Sequence, residues 1–256
     1  MADLLYPEPP HLMIAVYDDR PEERTFQLLF EASRELECEP NGLLEVSPRD
    51  LEFDFLSDVG SMRQRLQVGS DRLADLVAGA DPVSRVVKAG LTHRKLGRMI
   101  VEYLPRRGGD RHPIAVSMSA ATLGLPDSLW AKKDRSAAKR IADWSREALE
   151  LASSKCDPLY GGIAVEMTLP SPSSLSTTQS KVPSELFVSR RLTDRDQSLV
   201  DRLRQVFADG EVTNWRNGLF CAGWAPYVSG GQGITDLADT RGRASKLVKQ
   251  AVSAGR

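Results

Sequence analysis

Histidine is the side chain best able to accept or donate a proton near neutral pH, and this chain has three of them. They are His11, His93 and His112, and each lies among ordinary loop or helix-end residues. They form no trio with the spacing of metal ligands. We therefore interpret all three as solvent-exposed histidines and predict neither a metal site nor a cofactor.

The three cysteines could act as nucleophiles, form disulfides or bind zinc. Cys38, Cys156 and Cys221 are odd in number, far apart and without C-x-x-C spacing, which supports neither a disulfide framework nor a zinc site. Cys156 comes just before Asp-Pro at a helix end and Cys221 lies in an apolar strand, so we interpret both as structural. This cysteine usage fits a reducing cytoplasm.

A charged cleft is the remaining pattern that could bind a small molecule. Glu166 ends a predicted strand, and Glu185, Arg190 and Arg191 belong to the next one, so these side chains could line a pocket for a ligand. Surface ion pairing is the plainer interpretation of the same residues. The glycine-rich stretch at 229–234 lacks the Lys-Ser/Thr of a phosphate-binding loop, and we interpret it as a flexible loop.

Composition limits the classes of protein to which the chain can belong. Its 256 residues are 41% hydrophobic and 27% charged, enough to bury a sizeable core. The net charge of −1 gives no bulk attraction to nucleic acid, so direct nucleic-acid binding is not expected. The apolar runs are far shorter than the roughly 20 residues that cross a bilayer, and the start of the chain lacks an export signal, so we expect no membrane association.

The first part of the chain predicts one strand followed by helices. Residues 11–17 have the composition of a strand, and Arg20-Pro21-Glu22-Glu23 resembles the first turn of a helix, with proline and acidic residues at its positive end. Residues 57–90 show a helical pattern broken at Asp81-Pro82. We therefore predict that residues 1–92 form an N-terminal strand and helical segment packed on a sheet.

The second part predicts that sheet. Residues 98–104 and 113–119 are strand-like runs joined by a hairpin-type loop, and residues 136–154 form an amphipathic helix that leads to a strand at 160–166. A further strand over 184–192 precedes another helix. Residues 93–256 therefore predict an α+β sheet domain, in one compact unit with the first part. The predicted fold class is α+β, an antiparallel or mixed β-sheet with helices packed mainly on one face.

An aromatic stretch at 214–227 contains two tryptophans and a tyrosine in a chain that is only 6% aromatic. Alternation in this stretch predicts a strand, and packing in the core is the usual role of such residues. Trp215 and Trp224 would point to opposite faces of an unbroken strand, so at least one of them could face solvent.

The charges are unevenly distributed along the chain. Residues 35–58 hold eight acidic side chains against the single cation Arg49, whereas the C-terminal segment is basic. One interpretation is a solvated acidic loop and an ordinary charged helix. The other is an acidic face for a basic protein partner. The acidic residues are Glu35, Glu37, Glu39, Glu45, Asp50, Glu52, Asp54 and Asp58.

Three short motifs carry a resemblance to a known family. They are Asp19-Arg20-Pro21-Glu22 at the start of a helix, Asp157-Pro158-Leu159-Tyr160-Gly161 after a helix, and Asn217-Gly218-Leu219-Phe220 followed by Trp224. Their arrangement resembles the small α+β immunity proteins of bacterial polymorphic-toxin systems, in particular immunity protein family fifty-two. The segment at 57–90 and the basic C-terminal segment depart from that pattern.

The resemblance implies a non-enzymatic protein that binds and blocks a toxin, often through acidic residues. In this chain it points to Glu45, Asp50, Glu52, Asp54 and Asp58, which could enter the positive groove of a basic toxin domain. Trp215 and Tyr227 are the aromatic side chains that we predict as anchors of that interface. One alternative is a small-ligand-binding or enzymatic domain with a cleft around Glu166, Arg190 and Arg191. Another is a subunit of a larger assembly that docks through its basic C-terminal segment.

Overall fold

A computed structural model describes residues 5–49, 63–121, 123, 132–176 and 180–254. The strands are β1 (His11–Tyr17), β2 (Cys38–Pro48), β3 (Gln64–Gln67), β4 (Ser84–His93), β5 (Gly97–Tyr103), β6 (Ile114–Ser119), β7 (Tyr160–Val165), β8 (Glu185–Ser189), β9 (Glu211–Trp215) and β10 (Gly218–Ala222). The α-helices are α1 (Glu22–Glu35), α2 (Ser70–Val77), α3 (Lys132–Cys156), α4 (Arg190–Thr193), α5 (Ser198–Val206) and α6 (Leu237–Ser253).

The ten strands form one sheet in the order β3-β2-β4-β5-β6-β1-β7-β8-β10-β9, and each neighbouring pair is antiparallel. This confirms the predicted α+β class. The first strand of the chain lies in the middle of the sheet, between β6 and β7. The sheet therefore contains strands from both predicted segments, 1–92 and 93–256.

Both faces of the central strand β1 are buried, because its side chains alternate between two apolar clusters. Leu12, Ile14 and Val16 face the cluster that contains α1, α2 and α3, and we call this side the first face. Met13 and Tyr17 face the cluster that contains α5 and α6, on the second face. Most of the helical residues lie on the first face, while α5 and α6 cover part of the second.

Residues 57–90 do not form the helical segment that their pattern predicted, as far as they are described. Only α2 is helical there, with Leu73, Leu76 and Val77 buried, and it lies between strands β3 and β4. Short apolar runs fit a helix and a strand equally well, so the period alone does not distinguish them. Pairing of β4 with β2 and β5 decides in favour of a strand.

Residues 38–48 form a strand, so the acidic region is not simply a solvated loop. Pro40, Asn41 and Gly42 coincide with a register shift between β2 and β4. Gly42 has a φ of 79°, and a Cβ there would lie 2.5 Å from the carbonyl oxygen of Val68. The glycine therefore allows the backbone of β2 to pass close to the residue that follows β3.

The aromatic stretch contains a hairpin, so the prediction of a single strand there was wrong. Arg216 and Asn217 form a two-residue turn between β9 and β10, and Trp215 pairs with Gly218 across it. Because the turn reverses the chain, Trp215 and Trp224 both pack against the first-face cluster and do not point to opposite faces.

Candidate functional site

A charged pocket that combines several strands and a helix lies on the second face of the sheet. It has a volume of about 670 Å³, and β5, β6 and β1 form its floor through Glu102, Ser117 and Met13. The N-terminal segment and α6 contribute walls. We call it the second-face pocket, and its other lining residues are Tyr6, His11, Leu104, Pro105, Arg106, Glu166, Met167, Thr168, Pro170, Ser174, Ser180, Lys181 and Arg241.

Glu102 forms the acidic side of this pocket. Its carboxylate accepts hydrogen bonds from the Ser117 hydroxyl (Oγ–Oε1 2.7 Å) and from the Tyr6 hydroxyl (Oη–Oε2 3.2 Å). The ammonium group of Lys88, on the neighbouring strand β4, lies 4.5 Å from the centre of the Tyr6 ring. Tyr6 is thus held by a hydrogen bond and a cation–π contact, which fixes the N-terminal segment over the sheet.

Arg241 and Lys181 form the basic side. Arg241 Nε donates to the carbonyl oxygen of Val182 (3.3 Å), and Lys181 Nζ donates to that of Ala238 (3.2 Å). Burial lowers the pKa of Arg241, and the nearby carboxyl of Glu185 acts in the opposite direction. A guanidinium starts from so high a pKa that it stays charged at neutral pH.

Glu166 lies at the rim of the pocket, directly after β7. Its carboxylate accepts from the backbone N–H of His11, and its Oε1 lies 3.4 Å from His11 Nδ1. The φ of Glu166 is 51°, a left-handed conformation that is uncommon for a residue other than glycine. The strand β7 ends just before Glu166, and Met167, Thr168 and Pro170 after it line one side of the pocket.

The structure does not bring Glu166 together with Arg190 and Arg191, so the cleft expected from these three is not formed. Glu166 follows the end of β7, whereas Arg191 lies near its start, where it donates to Asp18 (3.3 Å) and Asp19 (2.8 Å). Glu166 and Arg191 are thus at opposite ends of a strand of six residues.

The other two members of that group, Arg190 and Glu185, differ in their exposure to solvent. Arg190 is exposed at the start of α4. Glu185 is 2% exposed, accepts hydrogen bonds from Ser184, Gly223 and Trp224, and has a pKa raised by burial. The sequence predicted that Glu166, Arg190 and Arg191 would lie close together at the ends of two successive strands. The order and direction of these strands instead place Glu166 and Arg191 at opposite ends of β7.

The acidic residues predicted to meet a partner have different environments. Glu45 is 6% exposed on β2, and its carboxylate lies 3.3 Å from Arg63 Nη1 and 3.5 Å from Lys88 Nζ. The charge of Glu45 is therefore neutralised by Arg63 and Lys88 within the protein. These internal ion pairs do not favour the predicted contact of Glu45 with a partner. Asp50, Glu52, Asp54 and Asp58 lie outside the described residues.

The two predicted aromatic anchors are buried. The ring of Trp215 stacks between Phe220, at 4.5 Å between centroids, and Phe187, at 5.7 Å. The hydroxyl of Tyr227 is 2.9 Å from that of Ser145 on α3. Both side chains are at most 5% exposed, so in this conformation they support the fold and are not presented to a partner.

Two of the three histidines are buried, which corrects the prediction that all were exposed. His93 closes a turn, because its Nδ1 accepts from the backbone N–H groups of Lys95 (3.1 Å) and Leu96 (3.2 Å). Burial lowers the pKa of His93, and its ring lies edge-on to Trp144. His112 donates from Nδ1 to the carbonyl oxygen of Leu104 (2.7 Å). His11, in contrast, lies at the second-face pocket.

The three cysteines are free and buried. Burial raises the pKa of Cys38 and of Cys156 to about 12, and it also raises the pKa of Cys221. The thiols are therefore protonated at neutral pH, in agreement with the structural role predicted for Cys156 and Cys221. Within the described ranges, no three His, Cys, Asp or Glu side chains are grouped as a metal site would require.

Sequence reasoning singled out Glu166 but missed Glu102 and Ser117 on the floor of the second-face pocket, although a signal for them was present. Glu102 lies between Val101 and Tyr103, and Ser117 lies between Val116 and Met118, in strands with otherwise apolar side chains. Such alternation places a polar residue on the face opposite the first-face core. The pattern does not indicate that Glu102 and Ser117 contact each other on the floor of the same pocket.

No protein-family model and no curated protein matches this chain. Among solved structures, the chain is similar to the Pseudomonas aeruginosa T6SS protein PA0821, with 14% sequence identity and a TM-score of 0.44. That match covers 96% of this chain and 72% of the other. The similarity is too distant to assign a function. In the described part of the chain, no helix is both long and apolar enough to cross a membrane.

Proposed function

We propose that this protein is a non-enzymatic cytoplasmic binding protein of the immunity type, which blocks a basic toxin domain through acidic side chains. The observation that carries the proposal is the environment of Glu37 and Glu39. They flank the buried Cys38, so both carboxylates emerge on the solvent side of the chain. Neither is in an ion pair with another described residue.

A shallow surface hollow extends this acidic character to the end of α1. It is lined by four glutamates together with Arg34, Arg94, Cys38 and Pro40. We call this hollow the glutamate surface. Lys155 pairs with Glu35 at 2.6 Å, which leaves the other carboxylates as the available charges. The four glutamates are Glu31, Glu35, Glu37 and Glu39.

Exposed carboxylates of this kind act chiefly on the encounter with a basic partner. They speed association and determine which partner is accepted, and salt weakens their effect because the screening length is only about 8 Å at physiological ionic strength. Asp50, Glu52, Asp54 and Asp58 would add to the acidic surface under this proposal.

The experiment uses the product of the gene adjacent to this one as the candidate toxin. Its expression should arrest growth of a bacterial host, and co-expression of this chain should restore growth. A Glu37→Lys plus Glu39→Lys variant should remain folded and bind the purified toxin about tenfold or more weakly, mainly through a slower association rate. A Glu52→Lys plus Asp54→Lys variant tests the second group of acids in the same assay.

The control applies an equal charge change to another part of the surface. Asp194 and Asp209 are exposed near α4 and α5, and an Asp194→Lys plus Asp209→Lys variant should bind like the wild type. An adjacent gene product that is harmless, or a toxin bound equally well by all charge variants, would contradict the proposal.

A further inference from the structure

The second-face pocket holds charges of both signs, on Glu102, Lys181 and Arg241, that form no ion pair with another described residue. Glu102 accepts hydrogen bonds only from two neutral hydroxyl groups and is in no ion pair with the described residues. Lys88, its cross-strand neighbour, is already 3.5 Å from Glu45. A half-buried carboxylate has room for four hydrogen bonds, so Glu102 can still accept one from a cationic ligand.

The basic side is also incompletely satisfied. A guanidinium has five N–H donors, and within the described ranges Arg241 uses only its Nε, toward Val182. The ammonium group of Lys181 has three donors and makes one hydrogen bond there, to Ala238. Both groups are half-buried at the pocket. Glu185 is near enough to Arg241 to influence its pKa, but neither Arg241 nor Lys181 forms an ion pair with a described residue, so a ligand carboxylate could accept their remaining hydrogen bonds.

The two sides are separated by a distance that a small molecule can span. Glu102 is on β5, and Arg241 contacts Val182 just before β8, so the pocket crosses β6, β1 and β7. Four steps between neighbouring strands amount to roughly 19 Å. The long side chains at both ends shorten the gap between the charged atoms. An extended peptide of two or three residues measures roughly 7–11 Å and fits within this span.

We propose that the second-face pocket binds a short zwitterionic peptide, with its carboxylate at Arg241 and Lys181 and its ammonium group at Glu102. Ser117 and Tyr6 hold the Glu102 carboxylate in place, while Met13 and Leu104 provide apolar floor for the middle of the peptide. The volume of about 670 Å³ is within the usual range for small-ligand sites, roughly 300–1,000 Å³. This site is separate from the glutamate surface.

The test is titration calorimetry of the full chain with tri-alanine, N-acetyl-tri-alanine and tri-alanine amide. Free tri-alanine should bind and, at a hundredfold excess over its Kd, should raise the melting temperature by roughly 5–10 °C. Each blocked peptide lacks one charged hydrogen-bonding end and should bind at least about tenfold more weakly.

Two variants assign the ends of the peptide. Glu102→Gln should weaken the binding of tri-alanine but leave the already weak binding of N-acetyl-tri-alanine unchanged. Arg241→Gln should also weaken the binding of tri-alanine but leave the already weak binding of tri-alanine amide unchanged. A general loss of structure would weaken all three peptides, so this selectivity separates recognition from stability. Lys181→Gln tests the carboxylate end if Arg241→Gln does not fold. Lys249→Gln, an exposed position on the same helix, is the matched control and should bind normally.

Three results would overturn the proposal. One is the absence of tri-alanine binding up to about 10 mM, the limit for a weak but specific site. Another is equal binding of the free and blocked peptides. The third is displacement of tri-alanine by inorganic phosphate at similar concentration together with normal binding in Glu102→Gln, which would indicate a simple anion site.

Discussion

Arg191 donates a hydrogen bond to Asp18, a residue 173 positions earlier in the chain, with 3.3 Å between Nη1 and Oδ1. Arg20 approaches the same carboxylate at 2.6 Å, and the side chain of Asp18 is only 2% exposed. Burial raises the pKa of Asp18, whereas Arg20 acts to lower it. This contact joins the end of β1 to the start of α4.

Replacement of Asp18 should destabilise the fold, because Asn cannot accept the same hydrogen bonds from two guanidinium groups. We expect Asp18→Asn to lower the free energy of unfolding by about 2–4 kcal/mol. Urea unfolding followed by circular dichroism measures this change. Asp209→Asn, at an exposed position, should alter stability by less than about 0.5 kcal/mol. Equal stability of the two variants would show that the Asp18 contact contributes nothing.

Glu211 should make stability depend on pH in the acidic range. Burial alone would raise its pKa, but hydrogen bonds from Ser229 and Thr213 and the charge of Arg146 outweigh burial and lower the pKa from its ordinary value. A lowered carboxyl pKa contributes stability above the unfolded-state pKa, and that contribution is lost as the pH falls through the folded-state value. Glu211→Gln should therefore cost about 1–2 kcal/mol at pH 7.

The difference between wild type and Glu211→Gln should shrink as the pH falls below the ordinary glutamate range, because the wild-type carboxyl is then progressively protonated. Unfolding free energies measured across this range provide the check. A difference that stays constant with pH would mean that Glu211 acts through packing and not through its charge.

Gly218 should not tolerate a side chain. A Cβ there would lie 2.3 Å from the carbonyl oxygen of Val188 and 2.7 Å from the Phe187 ring, so β10 and β8 would have to move apart. We expect Gly218→Ala to destabilise the protein by about 1–3 kcal/mol. A Cβ at Gly230 would have no atom within 4 Å, and Gly230→Ala should be close to neutral in the same thermal unfolding measurement. Equal losses of stability in the two variants would contradict this account of Gly218.

Trp215 should act as a core residue in mutagenesis. Its ring is buried between Phe187 and Phe220, so Trp215→Ala should cost about 3–5 kcal/mol. Trp224 is only half-buried, and Trp224→Ala should cost less. Chemical denaturation of both variants tests this order. A fully stable Trp215→Ala variant would return Trp215 to the set of partner-binding candidates.

The cysteines should be unreactive in the folded protein. Because burial holds the pKa of Cys38 and Cys156 near 12, both thiols should resist a thiol-specific reagent at pH 8, and Cys221 should behave likewise. All three should react once the chain is unfolded in urea. Rapid labelling of one cysteine under native conditions would indicate local opening at that position.

Much of the second half of the fold could be predicted from its sequence. The hairpin of β5 and β6, the long helix α3 and the strand β7 all carry strong local periodicity, and they were found as predicted. Residues 63–90 were harder to predict, because their apolar runs are short and pairing with distant strands decided their conformation. The two-residue turn at Arg216 and Asn217 was missed for a related reason, since the residues on both sides of it have strand-like composition.

Sequence alone determined the α+β class, because apolar period and turn residues are local properties of the chain. Tertiary structure decided which charges meet. Glu45 is neutralised by Lys88 and Arg63, Glu166 is separated from Arg191 by the length of β7, and Glu102 shares a pocket with Arg241. These outcomes depend on strand order and register, which arise from contacts between residues far apart in the chain and leave no local pattern.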